Sequence, residues 1–365
     1  MSTFVELHLI QNFAPSCLNR DDTGAPKDAM FGGFRRSRIS SQCIKRSVRK
    51  AFSDSGLLTP EELGIRTRNL VAILEQKLAD KGITDVATAI ENALATVELK
   101  VKARPEKSSQ TEYLLFLSNN AINDLTEVIA SHLDGLKKGK GDRDTKKAID
   151  SCIGSASAVD VALFGRMLAD RKELNVDAAA QVAHAISTHR VDRESDFFTA
   201  VDDWTNEEEA DAGMLGTVEF NSSCQYRYAV VNVDKLIENL GGDQVLALRG
   251  LQAFLRAAVV AIPTGRQNTF AAHNLPSFVG VAIHNSQPIS LANAFEQPVW
   301  AGENKSGLAA ASVARLHSHA GQLSKAFGLD LGLRVLDLTG AWEGEHVSDL
   351  HTLLDQVIKA LQSGR

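Results

Sequence analysis

TFVELHLI, residues 3–10, and FVGVAIHN, residues 278–285, stand far apart in a 365-residue chain, yet they read alike. In the first, Phe4, Val5, Leu7, Leu9 and Ile10 come in near-alternation, the period of a strand with one buried face. From about 57 to 190 the period changes. LGIRTRNLVAILEQKLADKG and TDVATAIENALATVELK repeat apolar residues every three to four positions, and VDAAAQVAHAIST reads as a further helix. Beyond it QYRYAVVNVD (225–234) alternates again, with Tyr226, Tyr228 and Val230 on one face. A helix is predicted over 243–261, a last strand over 331–338 and an amphipathic helix from about 347. Strands from both ends with helices between them predict an α+β core carrying a helical insertion.

Hydrophobic residues make up 44% and charged residues 23%, the composition of a soluble globular chain long enough for more than one domain. No apolar run approaches the ~20 residues that a bilayer requires. MSTFVELHLIQ has neither the basic region nor the cleavage site of a signal peptide, so a cytoplasmic protein is predicted. Cys17, Cys43, Cys152 and Cys224 are scattered, which predicts free thiols and no metal or other cofactor. His317 with His319, and His184 with His189, lack cysteine or carboxylate partners and read as ordinary histidines.

The charge is unevenly placed. FGGFRRSRISSQCIKRSVRKAF, residues 31–52, holds seven arginines and lysines and no carboxylate. Removing its +7 from the net −6 leaves −13 for the rest. A solvated surface helix is the ordinary reading of such a run. A helix capped by Ser40 or Ser41 and running to Phe52 would turn Ile44, Val48 and Phe52 inward. Gln42, Lys45, Arg46, Arg49 and Lys50 would then share the outer surface, with like charges four residues apart that repel. An anionic ligand would relieve that repulsion, and the helix start is a natural phosphate site. Residues 11–38 read as irregular, bringing Lys27, Arg35, Arg36 and Arg38 to the same surface beside Phe31, Phe34 and two glycines. Cations interleaved with aromatics suit a single-stranded nucleic acid.

Two further stretches stand out. GLKKGKGDRDTKK (135–147) predicts a mobile basic loop. Residues 191–216 combine Phe197, Phe198 and Trp204 with the acidic run NEEEAD (206–211), which suits a projecting hairpin with a charged tip.

With these residues in view, PSCLNRDDTGAPKDAMFGGFRRSRISSQCIKRSVRK strongly resembles the start of the CasC family, the backbone subunit of type I-E CRISPR Cascade. VDVALFGRMLAD (159–170), AHAISTHRVDRESDFFTAVDDW (183–204), LGTVEF (215–220) and the segment from Pro263 through Phe295 resemble it in the same order, over about half the chain. The resemblance implies an RNA-recognition-motif-like (ferredoxin-like) palm with an inserted helical fingers domain and a β-hairpin-like thumb. Palm would fall at 1–56, 183–190 and 223–365, fingers at 57–182 and thumb at 191–222.

The partners implied are CRISPR guide RNA, about six copies of the chain in a helical backbone, other Cascade subunits and target DNA, with no membrane. Each thumb would kink the RNA so that one base in six is flipped out. Matching motif positions implies that Arg20, Lys27, Ser40, Gln42, Lys45, Arg46 and Arg49 hold the RNA backbone. Met167 would pack beside the kink, and Phe197, Phe198, Thr199 and Leu215 would wedge at the flipped nucleotide. Lys137, Lys138 and Lys140 would brush the target duplex. No catalytic residue is implied. Two other readings remain: a metal-dependent RNA endonuclease using Asp21 and Asp22, and a scaffold that assembles without RNA.

Overall fold

The computed structural model describes residues 2–105, 107–155, 157–168, 171–200, 214–301 and 307–363. Trp204 and the acidic run at 206–211 lie outside the described residues. In chain order the strands are β1 (Phe4–Ser16), β2 (Asp28–Phe31), β3 (Phe34–Ile39), β4 (Gly64–Thr67), β5 (Val101–Arg104), β6 (Lys107–Thr111), β7 (Leu115–Ser118), β8 (Ala180–Val182), β9 (Ala185–Ser187), β10 (Glu194–Ala200), β11 (Met214–Asn232), β12 (Phe278–His284) and β13 (Arg334–Asp337). The helices are α1 (Ser41–Asp54), α2 (Leu70–Ala79), α3 (Ala87–Thr96), α4 (Asn119–Ser131), α5 (Leu133–Lys138), α6 (Arg143–Gly154), α7 (Val159–Phe164), α8 (Val233–Asn239), α9 (Gln244–Val260), α10 (Gln267–Phe270), α11 (Leu308–Phe327) and α12 (Leu350–Ser363). Among the described residues, no helix is long and apolar enough to cross a membrane.

The chain divides into two compact units. One comprises Met1–Phe52, Val182–Val230 and Gln252–Arg365, and the other Ser53–Gln181 and Val231–Leu251. The result is a mixed α+β protein. Its main sheet has the strand order β13-β12-β1-β11-β9-β3-β2, with β8 and β10 also joined to β11. β1 runs antiparallel to β12, from Phe4 opposite His284 to Ile10 opposite Phe278. The pairs β12–β13, β9–β11, β3–β9 and β2–β3 are antiparallel too.

β1 departs from its sequence reading. It extends to Ser16 and is buried on both faces from Val5 to Gln11. On one face Leu7 and Leu9 line a small cavity with Ile44 and Val48 of α1 and Phe254 and Ala258 of α9. On the other, Ile10 joins Tyr226, Phe278, Phe295, Val313 and Leu316 in the core. Glu6 and His8 are polar but not exposed, because buried polar groups persist where they find partners. His8 Nε2 lies 3.1 Å from Glu6, its Nδ1 lies 2.9 Å from the Tyr226 hydroxyl, and Ile289 N–H donates to Glu6 at 2.7 Å.

This cluster sets an acid limit on stability. Burial alone would push the Glu6 carboxyl up, but His284, His8 and the Ile289 amide outweigh it and hold the group at about 2, against an ordinary 4.5. A carboxylate depressed in the folded state stabilises it above pH 4.5, and that contribution disappears as pH falls towards 2. The loss is about 3 kcal/mol. Urea unfolding of Glu6→Gln at stepped pH is expected to lack this acid limb; parallel curves for variant and wild type would contradict it.

Residues 28–39 form a hairpin, not an irregular segment. Gly32 and Gly33 have φ of 59° and 82° and close a two-residue turn between Phe31 and Phe34. That pairing of left-handed residues suits a tight hairpin. VDAAAQVAHAIST is likewise not a helix. β8 and β9 occupy it, and Ala180 and Ala185 are buried in strands whose pairing with β11 and β3 overrides alanine's helix preference.

The second unit builds its core from Leu70 and Leu74 of α2, Ile90 and Leu94 of α3, Leu125 of α4 and Ile149 of α6. Its helical reading holds for α2, α3, α4, α6 and α7 but fails at the strands β4 to β7, and one loop reading fails as well. Residues 64–67, read as the start of a helix, form β4 and pair with β7. Residues 135–147 are not one loop, since α5 ends at Lys138 and α6 begins at Arg143.

Candidate nucleic-acid interface

The segment after β1 folds back on itself. Lys27 N–H donates to the Asn19 carbonyl at 2.8 Å, Arg20 faces Pro26, and Asp21 N–H donates to Ala25 at 2.9 Å. Asp21 Oδ1 accepts from Thr23 N–H (3.0 Å), Thr23 Oγ1–H (2.7 Å) and Ala25 N–H (3.0 Å), so this aspartate shapes the turn. Those bonds hold its carboxyl below the ordinary range. Among the described residues, no group of three histidine, cysteine or carboxylate side chains is arranged to hold a metal.

The turn is locked to α1. The Asn19 side chain accepts from Ser40 N–H at 2.8 Å, and Ser40 Oγ accepts from Cys43 N–H at 3.3 Å. Ser40 is therefore a buried N-cap. A cleft of about 470 Å³ opens here, with Arg20, Asp21 and Asp22 on one wall, Arg46 and Ser47 of α1 on another, and Gly265 on a third. Gly265 allows the close approach: a β-carbon there would fall 2.3 Å from the Leu18 carbonyl.

Not all of the basic run faces this cleft. α1 buries Ile44, Val48 and Phe52 as its period predicts. Gln42, Arg46 and Lys50 are exposed, whereas Lys45 and Arg49 lie half-buried on the flanks, and burial pushes the Lys45 ammonium down. Arg36 belongs to the core. Its guanidinium is fully buried and donates to the carbonyls of Ser187 (3.1 Å), Phe295 (2.8 Å) and Glu296 (3.0 Å). Arg35 is paired at 2.7 Å with Asp28, which also meets Arg193 at 2.9 Å. The hairpin supplies this carboxylate from just outside the basic run.

Two titratable groups nearby feel these cations. Burial, then the charges of Arg38 and Lys27, hold His184 below its ordinary value. Burial raises the Cys43 thiol while Arg46 and Lys27 draw it back. Lys27, Arg38, Arg46 and Arg20 are thus gathered around the start of α1, together with Ser40 and Gln42.

The arm residues occupy the β10–β11 ribbon, where Phe197 faces Thr217, Phe198 faces Gly216 and Thr199 faces Leu215. Phe198 lies across Gly216, where an added β-carbon would come within 2.4 Å of the ring. Phe197, on the opposite face of the strand, is 65% exposed. Sequence reading picked out both aromatics but not the glycine that seats one of them.

Met167 belongs to the second unit and is 82% exposed between two buried neighbours. Arg166 exchanges backbone bonds with Val176 (2.9 Å each) and donates through its guanidinium to the Leu174 carbonyl (2.8 Å). Leu168 N–H donates to Asn175 Oδ1 at 2.6 Å. The thioether is presented from a backbone fixed on both sides. Sequence reading missed both Arg166, whose burial no periodicity signals, and exposed Asn175, whose side chain holds the Leu168 amide. Lys137 and Lys138 are exposed on α5, anchored by buried Leu136, and Lys140 is exposed in the turn after it.

The sequence profile described as CT1975-like protein, of Cas type, matches residues 5–360. A chain of a solved structure described as "CRISPR RNA-guided surveillance complex, pre-nicking" superposes with TM-score 0.88 at 31% identity, covering 98% of this chain and 99% of that one. A chain from a "CRISPR RNA-guided surveillance complex" gives TM-score 0.75 at 28% identity, with 98% and 99% covered. No curated protein sequence matches.

Proposed function

The chain belongs to the Cas CT1975-like protein family, and on that footing we propose that it is the guide-RNA-binding backbone subunit of a type I-E Cascade surveillance complex. The observation that carries this reading is the gathering of Arg20, Lys27, Arg38 and Arg46 at the start of α1, in and beside a cleft that Asp21 and Asp22 also line. Such a site grips phosphates without reading bases, which is what a guide of arbitrary sequence demands. In this reading the first unit supplies an RNA-recognition-motif-like palm and the β10–β11 ribbon a thumb, while residues 57–182 form the fingers. Copies of the chain line up along the RNA, and cutting falls to another protein.

Nuclease footprinting of the RNA retained by the purified, assembled protein tests the proposal. Protection interrupted about every six nucleotides is the expected result. Continuous protection, or no retained RNA, would overturn it. Met167→Ala refines the test. The side chain is exposed, so stability should move by less than ~0.5 kcal/mol. RNA should be retained, but the interruptions should blur, because a stacked apolar contact contributes ~1–3 kcal/mol per base. An unchanged footprint would remove Met167 from the kink.

A further inference from the structure

The arm and the cationic cleft meet at a joint in the sheet. β11 pairs with β9, Gln225 opposite Ser187, and further along with β10, Phe220 opposite Glu194. Between those two pairs β11 takes five steps while its neighbour takes seven. The extra residues interrupt the ladder, as a bulge does. Thr188 N–H still donates to the Cys224 carbonyl at 2.8 Å, but Val191 N–H turns to the Arg35 carbonyl of β3 at 3.1 Å. Strand pairing with β11 resumes at Glu194.

Arg193 stands in that interruption, one residue before β10, and its guanidinium reaches to both sides of it. Nη2 donates to Asp28 Oδ2 of β2 at 2.9 Å, and Nη1 donates to Glu219 Oε2 of β11 at 3.4 Å. Asp28 is a hub in its turn. The same Oδ2 accepts from Arg35 Nη1 at 2.7 Å, while the Asp28 carbonyl accepts from Arg38 Nε at 3.2 Å. Its chain neighbour Lys27 lines a small pocket together with Arg38, Asn221 and Ser223, so the root of the arm in β11 borders the cations of the cleft. After the bonds from Thr23 and Ala25, the charge of Arg193 also helps to hold the Asp21 carboxyl down.

These ion pairs do little for the core. Asp28 and Arg193 keep 25% and 32% of their side-chain surface in water, and pairs so open contribute little to folding. What they supply is direction. A ribbon tied to its sheet by β11 alone can twist about that strand. A second tie, from Arg193 to a carboxylate already held by Arg35, removes the twist.

We propose that Asp28 and Arg193 are a positioning pair that latches the arm beside the guide cleft and so sharpens each interruption in the protection of the guide. The latch stands on geometry alone; its effect on the guide rests on the reading above. Asp28→Asn, Arg193→Met, the double variant and Arg193→Lys would be compared with wild type as purified, assembled protein. Hydrogen exchange reads the latch. The amides of β10 should exchange about two- to fivefold faster in either single variant, the range that an exposed ion pair supplies, with global unfolding unchanged. Residues acting through each other do not add, so the double variant should be no worse than the worse single one. Arg193→Lys, which keeps the charge, should fall between wild type and Arg193→Met.

Nuclease footprinting reads the consequence. With RNA content unchanged, the contrast between cleaved and protected nucleotides should fall by about the same factor. Asp28→Asn is the telling variant, because removing a negative charge beside a phosphate site would by charge alone favour RNA. Unchanged β10 exchange, or single effects that add in the double variant, would overturn the latch. Faster exchange with an unaltered footprint would overturn its effect on the guide. Loss of RNA from Arg193→Met but not from Asp28→Asn would make Arg193 a phosphate contact and overturn the proposal. A wild type without periodic interruptions would count against the guide-binding reading, and exchange would still decide the latch.

Discussion

Arg20→Glu combined with Arg46→Glu is expected to abolish RNA retention while leaving the protein folded. Both side chains wall the cleft at the start of α1, and both are exposed. Neither supports the core, so substitution should change stability by less than ~0.5 kcal/mol. A charge-assisted hydrogen bond to phosphate contributes about 1.5–3 kcal/mol. Losing two costs ~3–6 kcal/mol per site, a hundredfold or more in affinity, before the added repulsion is counted. Copies bound along one strand would compound the loss. The salt slope should also flatten by ~1.4 per copy, since each single-strand phosphate contact contributes about 0.7. Co-purified RNA measured by absorbance ratio, with circular dichroism as the folding control, decides the matter. Normal RNA content in a folded double variant would remove the cleft from the binding path.

Arg36→Leu should fail in a different way. Its guanidinium closes three carbonyls, those of Ser187, Phe295 and Glu296, inside the first unit. Leucine fills part of the volume but leaves those oxygens without their donors in a buried site. A buried acceptor left without its donor costs about 1–3 kcal/mol, so three together cost several kcal/mol. A fall of that size in urea unfolding is expected, with any loss of RNA following from the loss of fold. A stable Arg36→Leu protein that no longer binds RNA would return Arg36 to the ligand surface. This contrast separates two arginines that stand only ten residues apart in one basic run.

The same contrast marks how far the sequence could be read. α1 was legible because Ile44, Val48 and Phe52 recur at helical spacing and Ser40 is a good cap. The helix at 244–260 was legible for the same reason, and the strand at 278–284 as a short, nearly continuous apolar run. Arg36 was not legible, because its partners are backbone carbonyls some 150 and 260 residues away. Asp28 escaped notice as the counter-charge of Arg35 because the intervening residues read as a loop, although the paired glycines were a hairpin signal. The alanine-rich stretch at 178–185 was misread since its conformation is imposed by neighbouring strands. α11 (Leu308–Phe327) went unnoticed because its alanines, serines and histidines dilute the apolar stripe of Val313 and Leu316. In the candidate site, single residues were visible from sequence, while the turn that sets Arg20 across from Arg46 needed the fold.

β11 runs without a break for 19 residues. One end pairs with β10 as the arm, and the other lies between β1 and β9 in the middle of the sheet. On that side no hinge separates arm from core. The arm's direction is inherited from the twist of the sheet, as the angle of a propeller blade is inherited from its hub. Tension applied at the arm would be carried as shear along hydrogen-bonded strands instead of being released by a swivelling loop. If copies line up as proposed, each would hold its arm at one common pitch, a gauge that the core lays down before any neighbour arrives.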